Sequence, residues 1–132
     1  MEKNAYRQDL VEGKTLSLFD GEEEIFSSSG KWLHPLFEME KFLQNYDGNK
    51  NQLYVHDTAI GKAVLVLLSR MNVKKVHGNL VSKIALDFSK KINIELTYDN
   101  LVERLLCKTE SLFENEEDSD FIYTSLRQRA KL

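Results

Sequence analysis

QLYVHDTAIGKAVLVLLSRMNVKKVHGNLVS, residues 52–82, is the stretch that decides the fold. Residues 52–56 and 74–81 are short runs rich in branched and aromatic side chains, which predicts two strands. Residues 58–72 between them are apolar on nearly every helical face, which predicts a helix buried on most sides. Strands joined by a helix of this length are parallel neighbours linked by a right-handed crossover. The stretch therefore predicts a β-α-β unit, with Asp57 as the cap of its helix.

The same alternation of strands and helices extends in both directions. Upstream, Asp20-Gly21 is a tight-turn dipeptide between two short alternating runs and predicts a hairpin. Downstream, Ser82 suits the cap of a helix, and Asp99 or Asn100 suits the cap of another. The sequence therefore predicts an α/β domain, a three-layer α/β/α arrangement around a mixed sheet of about five strands that opens with an antiparallel hairpin. The flanking elements are strands at 15–19, 24–27 and 94–97 and helices at 31–46, 83–91 and about 99–108.

The two ends of the chain have weaker patterns. Residues 1–13 are mostly polar, with apolar side chains spaced for a short amphipathic helix. Residues 114–120 contain five acidic residues in seven, which indicates an exposed linker. We therefore expect a single domain over residues 1–116 and an acidic linker with a C-terminal tail or short helix over 117–132. The tail itself is compatible with a docked helix, a frayed end or a contact with another subunit.

Composition narrows the classes of protein. The net charge of −3 offers no overall attraction for nucleic acid. The amino-terminal residues are too polar for a signal peptide, and no apolar run approaches the ~20 residues of a membrane-spanning helix. Cys107 is the single cysteine, so an intrachain disulfide is impossible and a reducing compartment is expected. We expect a cytoplasmic protein that binds neither membrane nor nucleic acid.

Several segments together resemble the family called domain of unknown function 1893. The most specific is the block formed by Asp57, Gly61, Lys62 and Ala63. The resemblance implies a cytidine-deaminase-like fold, and it implies no established activity. Members tend to carry a Cys-Pro-Met-Glu element after the last helix, whereas residues 113–116 here read Phe-Glu-Asn-Glu, so a function of that cysteine is not expected. The matching segments are residues 18–39, 55–68, 74–88 and 92–108.

The residues exclude the chemistry of a zinc-dependent deaminase. That chemistry needs a His or Cys ligand, a general acid/base Glu in an H-x-E motif and a P-C-x-x-C pair, each at a helix start. The corresponding helix starts here read His56-Asp57-Thr58-Ala59 and Ser82-Lys83-Ile84-Ala85, with neither the glutamate nor the cysteines. We therefore predict no metal and no cofactor.

A ligand site is predicted where two strands run into helices. In sheets of this kind, ligands bind outside the carboxyl ends of the parallel strands, and helix N-termini attract anions. Each candidate residue also has a structural interpretation: the Asp and the Ser as helix caps, the lysines as solvated side chains and the Gly as a packing requirement. The candidate ligand-binding residues are Asp57, Thr58, Gly61, Lys62, Ser82 and Lys83.

Three hypotheses follow for the function. The first is a deaminase-like domain that binds a nucleotide-like or sugar-phosphate ligand at the two helix starts. The second is a metal-independent enzyme that uses Asp57 as a general base or nucleophile, with Lys62 positioning the substrate. The third is a structural or regulatory subunit that forms a homo-oligomer.

Overall fold

One mixed five-stranded sheet organises the chain in the computed structural model, which describes residues 5–48, 52–105 and 112–132. In chain order, the described elements are a 3-10 turn at Ala5–Arg7, β1 Leu16–Asp20, β2 Glu23–Ser28, α1 His34–Gln44, β3 Leu53–Ile60, α2 Lys62–Arg70, β4 Lys75–Ser82, α3 Lys83–Lys91, β5 Glu95–Val102 and α4 Ser119–Arg129. The strand order is β2-β1-β3-β4-β5. β1 is antiparallel to both of its neighbours, and β3, β4 and β5 are parallel. The predicted α/β class, mixed sheet and opening hairpin are confirmed.

Helices α1, α2 and α3 share one face of the sheet. The strands β3, β4 and β5 are added in one direction, so right-handed crossovers place their connecting helices on the same side. α2 contacts α1, α3 and α4 as well as the sheet, which explains why its residues from Lys62 to Leu68 are all buried. Among the described residues, the Ala5–Arg7 turn contacts the opposite face of the sheet. The predicted three-layer arrangement places further helix on that face, so this turn lies where the additional helix is expected.

The boundary between β3 and α2 differs from the prediction. β3 continues to Ile60, so Asp57 lies inside a strand and does not cap a helix. Gly61 is the cap residue, and the helix starts at Lys62 instead of residue 58. The reason is pairing on both edges of a central strand: Asp57 is opposite Leu16 on β1, and β3 stays paired with β4 up to its last residue. These ladder hydrogen bonds outweigh the local preference of Asp-Thr for a helix start.

The predicted helix at about 99–108 is wrong in its first residues. Asp99, Asn100, Leu101 and Val102 belong to β5, which pairs with β4 up to Ser82. Because β4 is eight residues long, extending β5 alongside it satisfies backbone groups that would otherwise lack partners. Residues 106–111, including Cys107, lie outside the described residues.

The chain ends are also more specific than their sequence patterns. In place of the helix predicted for residues 1–13, the described part forms the single 3-10 turn, whose Tyr6 is 1% exposed and packs on Tyr54 with ring centroids 5.0 Å apart. The C-terminal segment is a docked helix, the first of the three alternatives, with Ile122 and Leu126 buried against the rest of the chain. Asp118 caps it by accepting hydrogen bonds from two backbone N–H groups, at 3.0 and 3.2 Å.

No helix in the described parts of the chain combines the length and apolar character needed to cross a membrane.

Candidate functional site

A cavity of about 480 Å³ lies at the carboxyl ends of the parallel strands β3 and β4, beside the start of α1. This is the position that the topology predicts for a ligand. Apolar side chains dominate its lining, and Asp57 is the carboxylate in it. The described lining residues are Thr15, Gly30, Lys31, Trp32, Leu33, Pro35, Asp57, Thr58, Ala59, Gly61, Ala63, Val64, Leu80 and Leu105.

Asp57 is the chemically distinctive residue of this cavity. The residue is half-buried, and its Oδ1 accepts a hydrogen bond from the backbone N–H of Thr58 at 2.7 Å. Desolvation raises the pKa of Asp57 from 3.8 to about 7, and the hydrogen bond from Thr58 opposes this shift only in part. A carboxyl group with this pKa exchanges its proton near neutral pH, which is a frequent property of functional sites.

The local backbone explains why the Asp57 carboxyl group faces the cavity without hydrogen bonds from the N–H groups at the start of α2. Thr58 anchors the strand next to it, because its backbone N–H and its Oγ1 both donate to the carbonyl of Thr15, at 3.2 and 2.9 Å. Gly61 then turns the chain with an extended backbone and begins α2. The free N–H groups of the first turn of α2 therefore start four residues after the carboxylate.

Lys62 makes structural contacts inside the protein, although its position in the sequence predicts a ligand contact. The residue is 5% exposed, and its Nζ donates to the backbone carbonyls of Glu114 and Glu116, at 3.2 and 2.5 Å. The same ammonium group lies 5.1 Å from the ring centroid of Phe88. Lys62 thus ties the segment that precedes α4 to the first turn of α2, outside the described lining of the cavity.

Ser82 and Lys83 also lie outside the cavity lining. Ser82 is fully buried and caps α3, because its Oγ accepts a hydrogen bond from the backbone N–H of Ala85 at 3.0 Å. Lys83 is exposed, and its Nζ pairs with the carboxylate of Glu103 at 2.5 Å. This hydrogen bond raises the pKa of Lys83.

The structure thus brings together three of the six candidate residues, Asp57, Thr58 and Gly61, and separates them from Lys62, Ser82 and Lys83. Ligand binding by any of them stays a prediction.

Sequence reasoning missed the cavity residues contributed by the connection between β2 and α1. Trp32 lines the mouth of the cavity and is 46% exposed, although the sequence predicts a helix over residues 31–46 that includes it. The helix starts only at His34, with Pro35 in its first turn. An available signal was Pro35, because a proline is well tolerated in the first turn of a helix, which leaves Trp32 before that turn.

A second group that the sequence reasoning missed is a pair of buried histidines on the opposite face of the sheet. His56 and His77 are 1% and 3% exposed, and their ring centroids are 4.9 Å apart. The His77 ring bonds to Thr97 Oγ1 at 2.7 Å and to Asp99 Oδ1 at 3.1 Å, and both ring nitrogens of His56 lack a hydrogen-bond partner among the described residues. Burial lowers the pKa of His77, although the hydrogen bond with Asp99 opposes this. No group of three His, Cys, Asp or Glu side chains among the described residues is arranged to hold a metal ion.

Comparison with known proteins assigns the chain to a family. No curated protein is detectably similar to it. The fold matches the crystal structure of a DUF1893 family protein from Thermotoga maritima, with a TM-score of 0.75 and 24% sequence identity over 88% of this chain and 80% of that chain. Residues 6–129 match the family described as Domain of unknown function (DUF1893). Since this match covers nearly the whole chain, the protein belongs to the DUF1893 family.

Proposed function

We propose that the cavity beside Asp57 binds a small, mostly apolar ligand that carries a hydrogen-bond donor. The observation that carries the proposal is a carboxyl group with a pKa of about 7 in a cavity of about 480 Å³ with mainly apolar walls. Small-molecule pockets are typically of roughly this size, with apolar walls and a few polar groups that fix orientation. The position at the carboxyl ends of β3 and β4 adds the support of topology.

Among nucleotide-like ligands, the geometry favours binding of the ring inside the cavity over binding of the phosphate there. The ammonium group of Lys62 is engaged by backbone carbonyls, and Lys83 is paired with Glu103. Lys31 is the cationic residue among the described lining residues, so a phosphate would have to lie near the mouth of the cavity. A half-ionised Asp57 would repel an anion held deeper. A heterocyclic or sugar-like portion with N–H or O–H donors suits the interior better.

Catalysis by Asp57 is the second candidate function, and the raised pKa of this carboxyl is what favours it. A general acid or base is most efficient when its pKa lies near the working pH. With a pKa of about 7, Asp57 holds both protonation states in useful amounts at neutral pH. The interior of the cavity would then place a substrate proton within reach of Asp57. Self-association as a structural subunit stays a prediction.

A thermal-shift series of nucleosides, nucleotides and nucleotide sugars tests the binding proposal. We expect a ligand to raise the melting temperature of the wild type and to raise it less in Asp57→Asn. In the variant an amide NH2 group, which only donates, replaces the carboxyl oxygen that would accept the hydrogen bond of the ligand. Lys83→Met is the matched control, since Lys83 lies at a helix start but outside the described cavity lining. A shift that survives in Asp57→Asn and disappears in Lys83→Met would move the site to the helix starts and refute the proposal.

Turnover separates the second candidate from binding alone. A ligand that is bound with Asp57 present but recovered unchanged, with no new mass in solution or on the protein, would argue against catalysis. Conversion that is lost in Asp57→Asn while binding persists would support it.

A further inference from the structure

The connection between β2 and α1 holds a tryptophan in an unusual backbone conformation at the mouth of the cavity. Trp32 has a φ of 58°, in the left-handed region that bulky side chains rarely adopt. The residue is 46% exposed, so burial compensates for this conformation only in part. Residues kept in such conformations are concentrated at ligand-binding and active sites.

The backbone on both sides of Trp32 is fixed by hydrogen bonds. Before it, the carbonyl of Gly30 accepts from Thr15 Oγ1 at 2.7 Å, and the N–H of Gly30 donates to Ser28 Oγ at 3.0 Å. After it, Leu33 is 4% exposed, and its carbonyl accepts the first hydrogen bonds of α1. The backbone conformation of this connection is therefore set by its neighbours, and the Trp32 backbone is in place before any ligand arrives.

The indole also has a defined orientation. The ring of His34 meets it edge-on, with centroids 5.9 Å apart and an interplanar angle of 71°. Asp57 lines the same cavity. Its Oδ1 accepts a hydrogen bond from the backbone N–H of Thr58, and no described residue bonds to its Oδ2. A flat aromatic ring and a carboxyl oxygen thus line one cavity and offer two different kinds of contact.

We propose that Trp32 stacks on a planar, amino-substituted heteroaromatic ring whose amino edge donates to Asp57. This inference rests on the proposed function of the cavity and specifies the ligand class. Flat rings gain offset or edge-on contact with an indole that saturated rings of equal size do not reproduce. The N–H donors of an amino-heterocycle match a carboxyl oxygen, and its ring matches apolar walls.

A matched pair of probes tests the stacking. The planar probe is 2-aminobenzimidazole, and the saturated probe is cyclohexylguanidine, which offers similar N–H donors without a flat ring. Affinities are measured by isothermal titration calorimetry. Trp32 is the only tryptophan of the chain, so its fluorescence reports contact directly in the wild type. We expect the planar probe to bind about tenfold more tightly than the saturated one, the magnitude typical of stacking on an aromatic side chain, and to change the fluorescence of Trp32.

Variants assign the effect to the indole. Trp32→Leu is expected to remove the preference for the planar probe, and Trp32→Phe is expected to restore most of it. Tyr98→Leu is the matched control, because Tyr98 is also an exposed aromatic residue, 41% exposed, but lies outside the described cavity lining. Circular dichroism of each variant establishes that it is folded.

The two probes and the thermal-shift series together separate the stacking role of Trp32 from ligand binding by the cavity. If both probes bind in an Asp57-dependent manner and Trp32→Leu keeps the wild-type preference, the stacking role is refuted while the cavity remains a ligand site. If neither probe binds the wild type and the fluorescence of Trp32 does not change, the ligand class is refuted. If no compound of the thermal-shift series binds either, the proposed function is refuted with it.

Discussion

Asp57→Asn should stabilise the protein at alkaline pH, and by more at pH 8 than at pH 5. The folded protein binds the Asp57 proton more tightly than the unfolded chain does, since the pKa is raised from 3.8 to about 7. Wild-type stability therefore falls as the pH rises from about 4, and this loss is complete somewhat above pH 7. Asparagine has the shape of the protonated carboxyl and carries no charge at any pH, so the variant avoids the loss.

The structure sets the size of the effect. At about 1.4 kcal/mol per pKa unit, a shift from 3.8 to about 7 corresponds to roughly 4 kcal/mol at full ionisation. Because Asp57 is half-buried, water screens part of this cost, and we expect a gain of about 2 kcal/mol near pH 8 and less than about 1 kcal/mol near pH 5. The hydrogen bond from the Thr58 N–H is retained, because the asparagine carbonyl oxygen can accept it.

Urea denaturation followed by circular dichroism measures the effect at a fixed ionic strength. The free energy of unfolding is determined for the wild type and the variant at several pH values between about 5 and 8. Asp47→Asn is the matched control, because it makes the same chemical change at an exposed position. If the difference between Asp57→Asn and the wild type does not grow with pH, or if the variant is less stable throughout, Asp57 is ionised in the folded protein and the assignment is wrong.

Two further predictions concern groups outside the cavity. Lys62→Met should lower the free energy of unfolding by about 2 kcal/mol, because two backbone carbonyls lose a buried donor. Lys83→Met should leave the free energy of unfolding nearly unchanged, because its ion pair with Glu103 is exposed. Equal effects of the two substitutions in urea denaturation would contradict the buried role of Lys62. Burial lowers the pKa of His77 below 6.5. The contribution of neutral His77 to stability is therefore fully present above about pH 6.5 and is lost as the pH falls below that value. His77→Gln should therefore lose less thermal stability than the wild type between about pH 7 and 5, whereas His34→Gln, at an exposed position, should follow the wild type; identical slopes for all three proteins would refute the assignment.

The parallel core of the fold was predictable because its signals are local. The β-branched and apolar residues of β3 and β4 flank a helix that is apolar on most faces, and this pattern has few alternatives. The ends of the elements were not predictable, because they depend on pairing between distant segments. Nothing within residues 57–60 shows that β1 and β4 will pair with both edges of the strand. In β5, residues 99–102 likewise take their conformation from the length of β4.

The displaced boundary of β3 also reverses the expected chemistry of Asp57. As a helix cap, this carboxylate would accept hydrogen bonds from the first turn of α2, which would stabilise its charge and lower its pKa. In the strand it receives one such bond, from Thr58, and otherwise borders a mainly apolar cavity, so its pKa rises. A capping aspartate would be a fixed anion that repels phosphate and has no part in proton transfer. The observed Asp57 can accept or donate a hydrogen bond near neutral pH, and for that reason we propose an uncharged or basic heterocycle as the ligand of the cavity and not an anion at the helix starts.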